Sequence, residues 1–328
     1  DVFPQALLYL RIYLMGMPVI LLYNFEAAIF RSVGETRVPL VALAMSGVLN
    51  VLLNLFFVAV LHMTVNGVAI ATVMANAFSS ALLFRRLLRS GKDIRLEPRR
   101  LRMDGRSLWM ILRIGLPAGL QSAVFAISNI VIQSAINSLG KVVMAASSAA
   151  YNIEVFAYDV MNSYNQACTT FVGQNYGAGQ IRRCRKTLYL CLIEDAVSLG
   201  ATVALVLLTG HFLLSIFNND PQVIALGYDR LKIVFFAYIF SLLYEVMSGY
   251  LRGFGISLVP AVLTTLGVCG VRISWIQLVF PLRRTFSTIM IAYPASLSAT
   301  ALLIGIALFV YQPSRRYAAK QAKQYAGC

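Results

Sequence analysis

The groups in this sequence best suited to chemistry are acidic residues inside apolar stretches. An Asp at the centre of a membrane-spanning helix costs about 2.5–3.5 kcal/mol even on the gentler insertion scale. Such a carboxyl group is expected to be partly protonated or paired, so it can exchange a proton or a sodium ion. Glu154 and Asp159, which bracket the centre of one stretch, are the first candidates, and Glu245 follows. Six of the 13 acidic residues lie in these stretches: Glu26, Glu154, Asp159, Glu194, Asp195 and Glu245.

The composition identifies the environment of these acids. The chain has 328 residues, of which 59% are hydrophobic and 12% charged, and its mean hydropathy is +0.74. Soluble domains carry about 25% charged residues, so we expect an all-α polytopic membrane protein that contacts the lipid bilayer. The net charge of +15 then reflects topology and anionic lipid, and nucleic acid is not an expected partner.

Nine membrane spans are predicted, separated by short linkers except for a basic linker at 85–107. Placing this linker in the cytoplasm puts most of the basic residues on the same side, as the positive-inside rule requires, and leaves Arg230 and five others on the outer side. The predicted protein is therefore a multi-pass protein of the inner cell membrane with a cytoplasmic C-terminus. The spans are expected at about 12–30, 38–60, 66–84, 110–138, 143–171, 187–217, 231–251, 258–281 and 286–311.

A stretch at 23–39 recurs at 244–260 with a constant offset of 221 positions. The repeat indicates a twelve-helix protein of two six-helix halves, from which the first three helices are missing here. Residues 1–90 would be the remainder of the N-terminal lobe, equivalent to helices 4–6. Residues 85–107 would be the cytoplasmic linker, and 108–328 a C-terminal lobe with a short basic tail. The most informative identities, which we expect to be structural, are Tyr23 with Tyr244, Arg31 with Arg252, Gly34 with Gly255, and Pro39 with Pro260.

The repeat and the nearby basic residues suggest roles for the remaining acids and for one asparagine. Asn24 stands opposite Glu245 in the repeat, so it is a further candidate for the cation site. Glu26 is also a candidate, although it lies within two turns of Arg31 and could pair with an arginine of the inner surface. Glu194 and Asp195 follow the basic cluster Arg182–Lys186 by about two turns, which favours a structural ion pair. For Arg272, inside a span, a buried carboxylate partner is expected.

Amide side chains at helical spacing could line a polar cavity. The alternative is interhelical hydrogen bonding, worth about 0.6 kcal/mol for each bond. Both interpretations remain open for these residues. Three prolines inside spans, Pro18, Pro117 and Pro294, are expected to bend their helices. The candidate cavity residues are Asn152, Asn162 and Gln166 in the fifth span, Gln121, Asn129 and Gln133 in the fourth, and Asn50 and Asn54 in the second.

Other sequence motifs do not indicate an enzyme. The glycine cluster at 173–179 lacks the Lys-Ser/Thr of a phosphate-binding loop. The five cysteines have no paired spacing for a metal. Both histidines fall near outer span ends, where an interfacial role is the simpler explanation. We expect no catalytic residue, no metal and no cofactor other than a coupling ion, H⁺ or Na⁺.

With these residues identified, the sequence resembles the multidrug and toxic compound extrusion (MATE) family of secondary transporters over essentially its whole length. The resemblance depends on Ala167–Gly179, Gly249–Gly255 and Arg31–Pro39, supported by Asn50–Asn54 and Gly67–Thr72. It implies two six-helix lobes that export organic cations in exchange for H⁺ or Na⁺. Members often use an Asp in the first helix of the N-terminal lobe, and that helix is absent here. Some use an acid in the first helix of the C-terminal lobe, and the span at 110–138 has none.

The expected function is therefore export of drugs or cationic amphiphiles by antiport, with alternating access between the two lobes of a monomer. A lipid or lipid-linked oligosaccharide flippase of the same superfamily is the alternative. A membrane-embedded lipid-modifying enzyme is the third interpretation, and it would require a catalytic motif at one membrane face.

Overall fold

The computed structural model describes residues 3–91 and 94–314, and it is helical without β-strands throughout those ranges. The basic tail that begins at Arg315 and residues 92–93 of the predicted linker lie outside the described residues. The chain divides into two compact units, 1–103 and 104–328.

Unit 1 contains three helices: α1 (Phe3–Ser32), α2 (Arg37–Leu55) and α3 (Val65–Leu88). Helix α2 continues into a π-helical segment, Phe56–Val60. Helix α3 packs on both α1 and α2. The buried core of this unit is small, and it consists of Ala27, Phe30, Ala42, Leu83 and Leu87.

Unit 2 contains α4 (Gly105–Asn137), α5 (Lys141–Gly177), α6 (Ile181–Phe217), α7 (Pro221–Gly253), α8 (Leu258–Thr264), α9 (Val271–Leu278) and α10 (Phe286–Tyr311). A π-helical segment, Thr265–Gly270, joins α8 to α9 and makes them one continuous crossing. The most extensive helix pair is α5 with α7, and α6 and α10 also pack on α7. Helix α7 is therefore the centre of the unit, and it holds Glu245.

The helices agree with the predicted polytopic α-helical membrane protein. Eight helices in the described residues are long and apolar enough to cross a membrane. Helix α5, at the position of the fifth predicted span, is not among these eight because of its polar side chains. Helix α7 begins at Pro221, ten residues before the predicted start of its span. Arg230, which the sequence analysis assigned to the outer side, is consequently inside this helix and buried.

Both copies of the repeated motif form the same turn. Helix α1 ends at Ser32 and α2 begins at Arg37, while α7 ends at Gly253 and α8 begins at Leu258, so the offset of 221 is kept. Gly34 and Gly255 have positive φ angles of 83° and 77°. Their N–H groups donate to the carbonyl oxygens of Arg31 and Arg252 at 2.9 and 2.8 Å. A left-handed residue here closes the helix end, which explains why glycine occurs in both copies.

The repeated prolines lie in the first turn of the helix that follows each repeated turn. Pro39 and Pro260 are both buried, and each is the third residue of its helix, α2 or α8. An N–H group in the first helical turn has no acceptor within the helix, so proline loses no hydrogen bond there. The next residue in each copy donates its N–H to an equivalent carbonyl oxygen, that of Thr36 or Ser257, at 3.2 Å. Pro39 and Pro260 therefore have the same structural position in both units.

Candidate functional site

The α5–α7 interface brings the buried acids of unit 2 together because two glycines allow the helices to approach closely. A β-carbon at Gly249 would lie 2.6 Å from both the backbone oxygen and Oδ1 of Asn165. One at Gly253 would lie 2.6 Å from the side chain of Val172. The GxxxG spacing therefore places the backbone of α7 directly against α5.

Glu245 lies in this interface, one helical turn before Gly249. Its side chain is buried, with 8% exposure. Nδ2 of Asn165 donates to Oε2 of Glu245 over 2.5 Å. The hydroxyl of Thr169 lies one turn along α5 and donates to the carbonyl oxygens of Asn165 and Gly249 at 2.9 and 3.1 Å. Glu245 thus meets a neutral amide donor that α5 holds in position.

Glu154 has a different environment, although it too belongs to the α5–α7 interface. Nε of Arg230 donates to Oε1 of Glu154 at 2.7 Å, and its NH2 donates to Oε2 at 2.8 Å. The remaining NH1 donates to the hydroxyl of Ser147. Both charged side chains are almost fully buried. This bidentate pair fixes one positive and one negative charge next to each other.

Arg272 does not have the carboxylate partner that the sequence predicted. Its Nε donates to the hydroxyl of Ser296 at 3.0 Å, and its guanidinium lies 4.4 Å from the ring centroid of Tyr293. Within the described residues, no carboxylate lies within salt-bridge distance of this arginine. The prediction was wrong because a cation–π contact and a hydroxyl acceptor replace the ion pair. Arg272 is nevertheless buried, with 6% exposure.

Asp159, a first candidate together with Glu154, lies away from this buried region. It is exposed on α5, as are Asn152 and Gln166, while Asn162 is half-buried. Nδ2 of Asn152 donates to the backbone oxygen of Ser148 at 3.0 Å. The structure therefore separates the two first candidates, with Glu154 on the packed face of α5 and Asp159 on its exposed face.

The amides of α4 are mostly exposed. Oε1 of Gln121 accepts from NH2 of Arg252, a residue of the repeated turn, at 3.0 Å. Nε2 of Gln133 donates to Oδ1 of Asn137 at 2.8 Å, and Asn129 is exposed. Gln121 thus links α4 to the end of α7, whereas Gln133 forms a bond within its own helix.

In unit 1 the candidate residues do not converge on one site. Glu26 is buried, and its Oε2 accepts from the hydroxyl of Ser80 on α3 at 2.9 Å, while Oε1 has no hydrogen-bond partner. Asn24 is exposed and donates to the backbone oxygen of Ile20. Nδ2 of Asn54 donates to Oδ1 of Asn50 at 3.0 Å, which is a bond within α2.

The expected ion pair of Glu194 and Asp195 with the basic cluster Arg182–Lys186 is not formed by Asp195. The Asp195 side chain is fully buried, and neither of its carboxyl oxygens has a hydrogen-bond partner. Glu194 is exposed. The prediction failed because helical rotation turns Asp195 into the helix bundle, and spacing to the basic cluster carries no information about rotation.

Two important partners were not candidates in the sequence analysis. The sequence places Arg230 with the basic residues of the outer side, and Asn165 is not among the candidate cavity residues. The period of apolar residues in α7 could have revealed Arg230, because it lies on the same face as the buried residues Gly227, Val234 and Ala237.

The family comparisons agree with this fold. The MatE family model matches residues 117–278, and the Lipid II flippase MurJ model matches residues 5–131. The chain is 27% identical over 262 residues to "Probable multidrug resistance protein YpnP" of Bacillus subtilis (strain 168), covering 79% of this chain and 58% of that protein. It is 24% identical to "Probable multidrug resistance protein YoeA" of the same organism, covering 93% of this chain and 68% of that protein.

Solved structures give the same result for the fold. One is described as the outward-facing conformation of a multidrug resistance MATE family transporter of the MOP superfamily. It matches with a TM-score of 0.82 and 20% identity, covering 97% of this chain and 70% of the other. A MOP superfamily transporter from Pyrococcus furiosus, described as having a binding pocket of reverse polarity, matches with a TM-score of 0.84 and 21% identity. It covers 96% of this chain and 70% of the other. The resemblance to the MATE family is confirmed.

Proposed function

We propose, from the MATE fold of this chain, that its protein exports drugs or organic cations by alternating access, in antiport with H⁺ or Na⁺. Names such as probable multidrug resistance protein, multidrug export protein, and multidrug and toxin extrusion protein among the curated relatives support export of drugs, and they support a transporter and not an enzyme. The chain spans 58%, 68% and 54% of the first three of these relatives. The single observation that carries the coupling proposal is the buried contact of Glu245 with Asn165.

The surroundings of Glu245 suit an exchangeable cation. An ionised carboxylate inside the bilayer is costly unless a positive charge compensates it. The described residues place no lysine or arginine nitrogen within 4.0 Å of Glu245, and the donor that α5 offers it is the neutral amide of Asn165. A bound proton, a sodium ion or a cationic substrate can each supply the missing charge. Only one of them needs to be bound at a time, which is the competition that antiport requires.

Glu154 is less suited to this role, although it was a first candidate. Arg230 already neutralises it through two hydrogen bonds. A proton or sodium ion would have to displace a buried guanidinium, and this would leave an uncompensated positive charge. We therefore assign coupling to Glu245 and a structural role to Glu154, and we give Asp159 no role in coupling.

The charge distribution supports the orientation that we propose. Arg31, Arg37 and Arg252 border the two equivalent turns, and the linker between the units is basic. Basic loops remain on the cytoplasmic side of a membrane. We therefore place both turns and the linker in the cytoplasm of a cell whose inner membrane holds the protein.

The test is ethidium efflux from vesicles that contain the protein expressed from its natural gene. We expect efflux to depend on an imposed proton or sodium gradient and to be lost in Glu245→Gln. Glu194→Gln is the matched control, because it removes an exposed carboxyl of the same unit, and it should transport normally. Gradient-driven efflux that persists in Glu245→Gln would contradict the coupling role. Absence of efflux from the inserted wild-type protein would contradict the exporter function.

Two observations favour a lipid-linked flippase as the second candidate. The MurJ model matches residues 5–131, and Arg272 is a buried cation that an anionic headgroup could neutralise. If the wild-type protein does not transport ethidium, translocation of a fluorescent lipid-linked pyrophosphate in the same vesicles decides between them. This activity should require Arg272 and be lost in Arg272→Gln.

A further inference from the structure

Asp195 is a buried acid without a hydrogen-bond partner. It lies in the middle of α6, its side chain has 0% exposure, and neither Oδ1 nor Oδ2 accepts a hydrogen bond. Buried polar atoms in folded proteins are almost always satisfied, so two unpartnered oxygens on one carboxyl group need an explanation. No described basic residue lies within salt-bridge distance of it.

The face of α6 that carries Asp195 is directed at the site described above. Ser198, one turn after Asp195, shares a 2.7 Å hydrogen bond with the hydroxyl of Tyr164 on α5. Cys191, one turn before Asp195, packs with Cys168 of α5 and Val246 of α7 in one buried cluster. Residues three and four positions apart lie on the same side of a helix. Asp195 therefore points into the junction of α5 and α7.

This junction contains Glu245. Tyr164 and Cys168 of α5 flank Asn165 along the helix, and Asn165 donates to Glu245. Val246 follows Glu245 directly in α7. Both carboxyl groups therefore border the buried cluster that contains Cys191, Cys168 and Val246. Three helices thus place two carboxyl groups together, and the donor that α5 offers to the pair is a neutral amide.

We infer that Asp195 carries an exchangeable proton and forms with Glu245 a two-carboxyl proton site. Two carboxyl groups that share a dry site cannot both remain ionised, so at least one holds a proton. When the site unloads, the O–H bond of this carboxyl breaks, the proton passes to water, and a carboxylate remains that attracts the incoming cation. The inference rests on the proposed antiport, and it specifies H⁺ as the coupling ion.

Other titratable and charged groups face the two carboxyls, but none of them takes over the exchangeable proton that we assign to Asp195. These groups are Tyr158, Tyr164 and Cys168 of α5, Cys191 of α6, and Tyr244 and Arg252 of α7. Arg272 of α9 interacts electrostatically with Tyr158 and Tyr244. The guanidinium of Arg252 donates to Gln121 on α4. Free thiols and phenols hold their protons at neutral pH, whereas a carboxyl group that shares a dry site with a second carboxyl can take up or release one.

Infrared difference spectroscopy of the purified protein in lipid tests the inference without requiring transport. The wild-type protein should show the carbonyl stretch of a protonated aspartic acid, and this band should disappear in Asp195→Asn. Glu194→Gln should keep the band. In Asp195→Glu, the band should move to the frequency of a protonated glutamic acid. This second variant is informative even if Asp195→Asn does not fold, since an unmoved band would overturn the inference.

Proton release on ethidium binding, recorded with a pH dye in weakly buffered solution, gives the functional readout. Wild-type protein should release protons and Asp195→Asn should release none. If Asp195→Asn keeps both the band and the release, the inference is overturned while antiport stays intact. If the wild-type protein moves no ethidium, the proposed function fails, but the infrared band still decides whether Asp195 holds a proton.

Discussion

Two buried glutamates of the same helix pair, Glu154 and Glu245, have opposite surroundings. Arg230 of α7 neutralises Glu154 through a bidentate bond, whereas Asn165 of α5 meets Glu245 with a neutral amide. Both carboxyl groups are buried, so burial alone does not distinguish them. The partner therefore separates the two roles: the guanidinium of Arg230 fixes the charge of Glu154, whereas the amide of Asn165 leaves Glu245 open to the exchange that we propose.

The largest loss of stability is expected when the ion pair of Arg230 with Glu154 is broken. Arg230→Met leaves Glu154 buried without its positive partner, and loss of one member of a buried pair costs about 3–5 kcal/mol. Denaturant unfolding in mixed micelles should show this decrease in the free energy of unfolding. The double variant Arg230→Met/Glu154→Leu should recover most of it. Lys232→Met, which breaks the exposed pair with Asp229, is the control and should change little. If Arg230→Met behaved like this control, the pair would not be structural.

A smaller loss of stability is expected when α5 and α7 are forced apart at the contact of Asn165 with Glu245. Gly249→Ala places a methyl group 2.6 Å from Asn165, and overpacking of this kind costs about 1–3 kcal/mol. Because Asn165 is the donor to Glu245, gradient-driven efflux should fall as well. Gly305→Ala is the matched control, since no atom lies within 4 Å of the added carbon. Equal stability and equal efflux in the two variants would mean that the close approach does not matter.

The repeated turn has an equivalent left-handed glycine in each unit. Gly34→Ala and Gly255→Ala each force a residue with a side chain into the left-handed region, at a cost of about 1–2 kcal/mol. Nothing lies within 4 Å of a β-carbon at Gly255, so strain alone should account for its effect. Thermal unfolding should show that the melting temperatures of the two variants fall by similar amounts. An unchanged melting temperature in either one would indicate that its turn relaxes.

The smallest effect is expected at an acid outside the membrane spans. Asp104 caps α4, and hydrogen bonds from the hydroxyl and N–H of Ser107 lower the pKa of its carboxyl group. The charged cap therefore stabilises the fold above the unfolded pKa, and this contribution is lost as the pH falls through the folded value. Asp104→Ala should lower the melting temperature slightly at neutral pH and not at strongly acidic pH. A difference that did not depend on pH would rule out this electrostatic origin.

Much of the fold was predictable from the sequence because its signals are local. Long apolar runs predicted the helices, and the Arg-Ser-Val-Gly-Glu-Thr-Arg-Val-Pro stretch with its second copy predicted two equivalent helix ends. The residue types of the family motifs were sufficient to indicate the MATE resemblance. The start of α7 was missed by ten residues, because Asp229, Arg230 and Lys232 interrupt its hydropathy.

The sequence by itself determined that acids would be buried in a polytopic helical membrane protein, since hydropathy and charge depend on residue type alone. Only the tertiary structure decided what each acid meets. Arg230 is 76 positions from Glu154, and Asn165 is 80 positions from Glu245. Such partners depend on the rotation of each helix and on how closely the glycines of α7 let it approach α5. That geometry makes Glu154 one half of a fixed pair, whereas no described arginine or lysine lies within salt-bridge distance of Glu245 or Asp195.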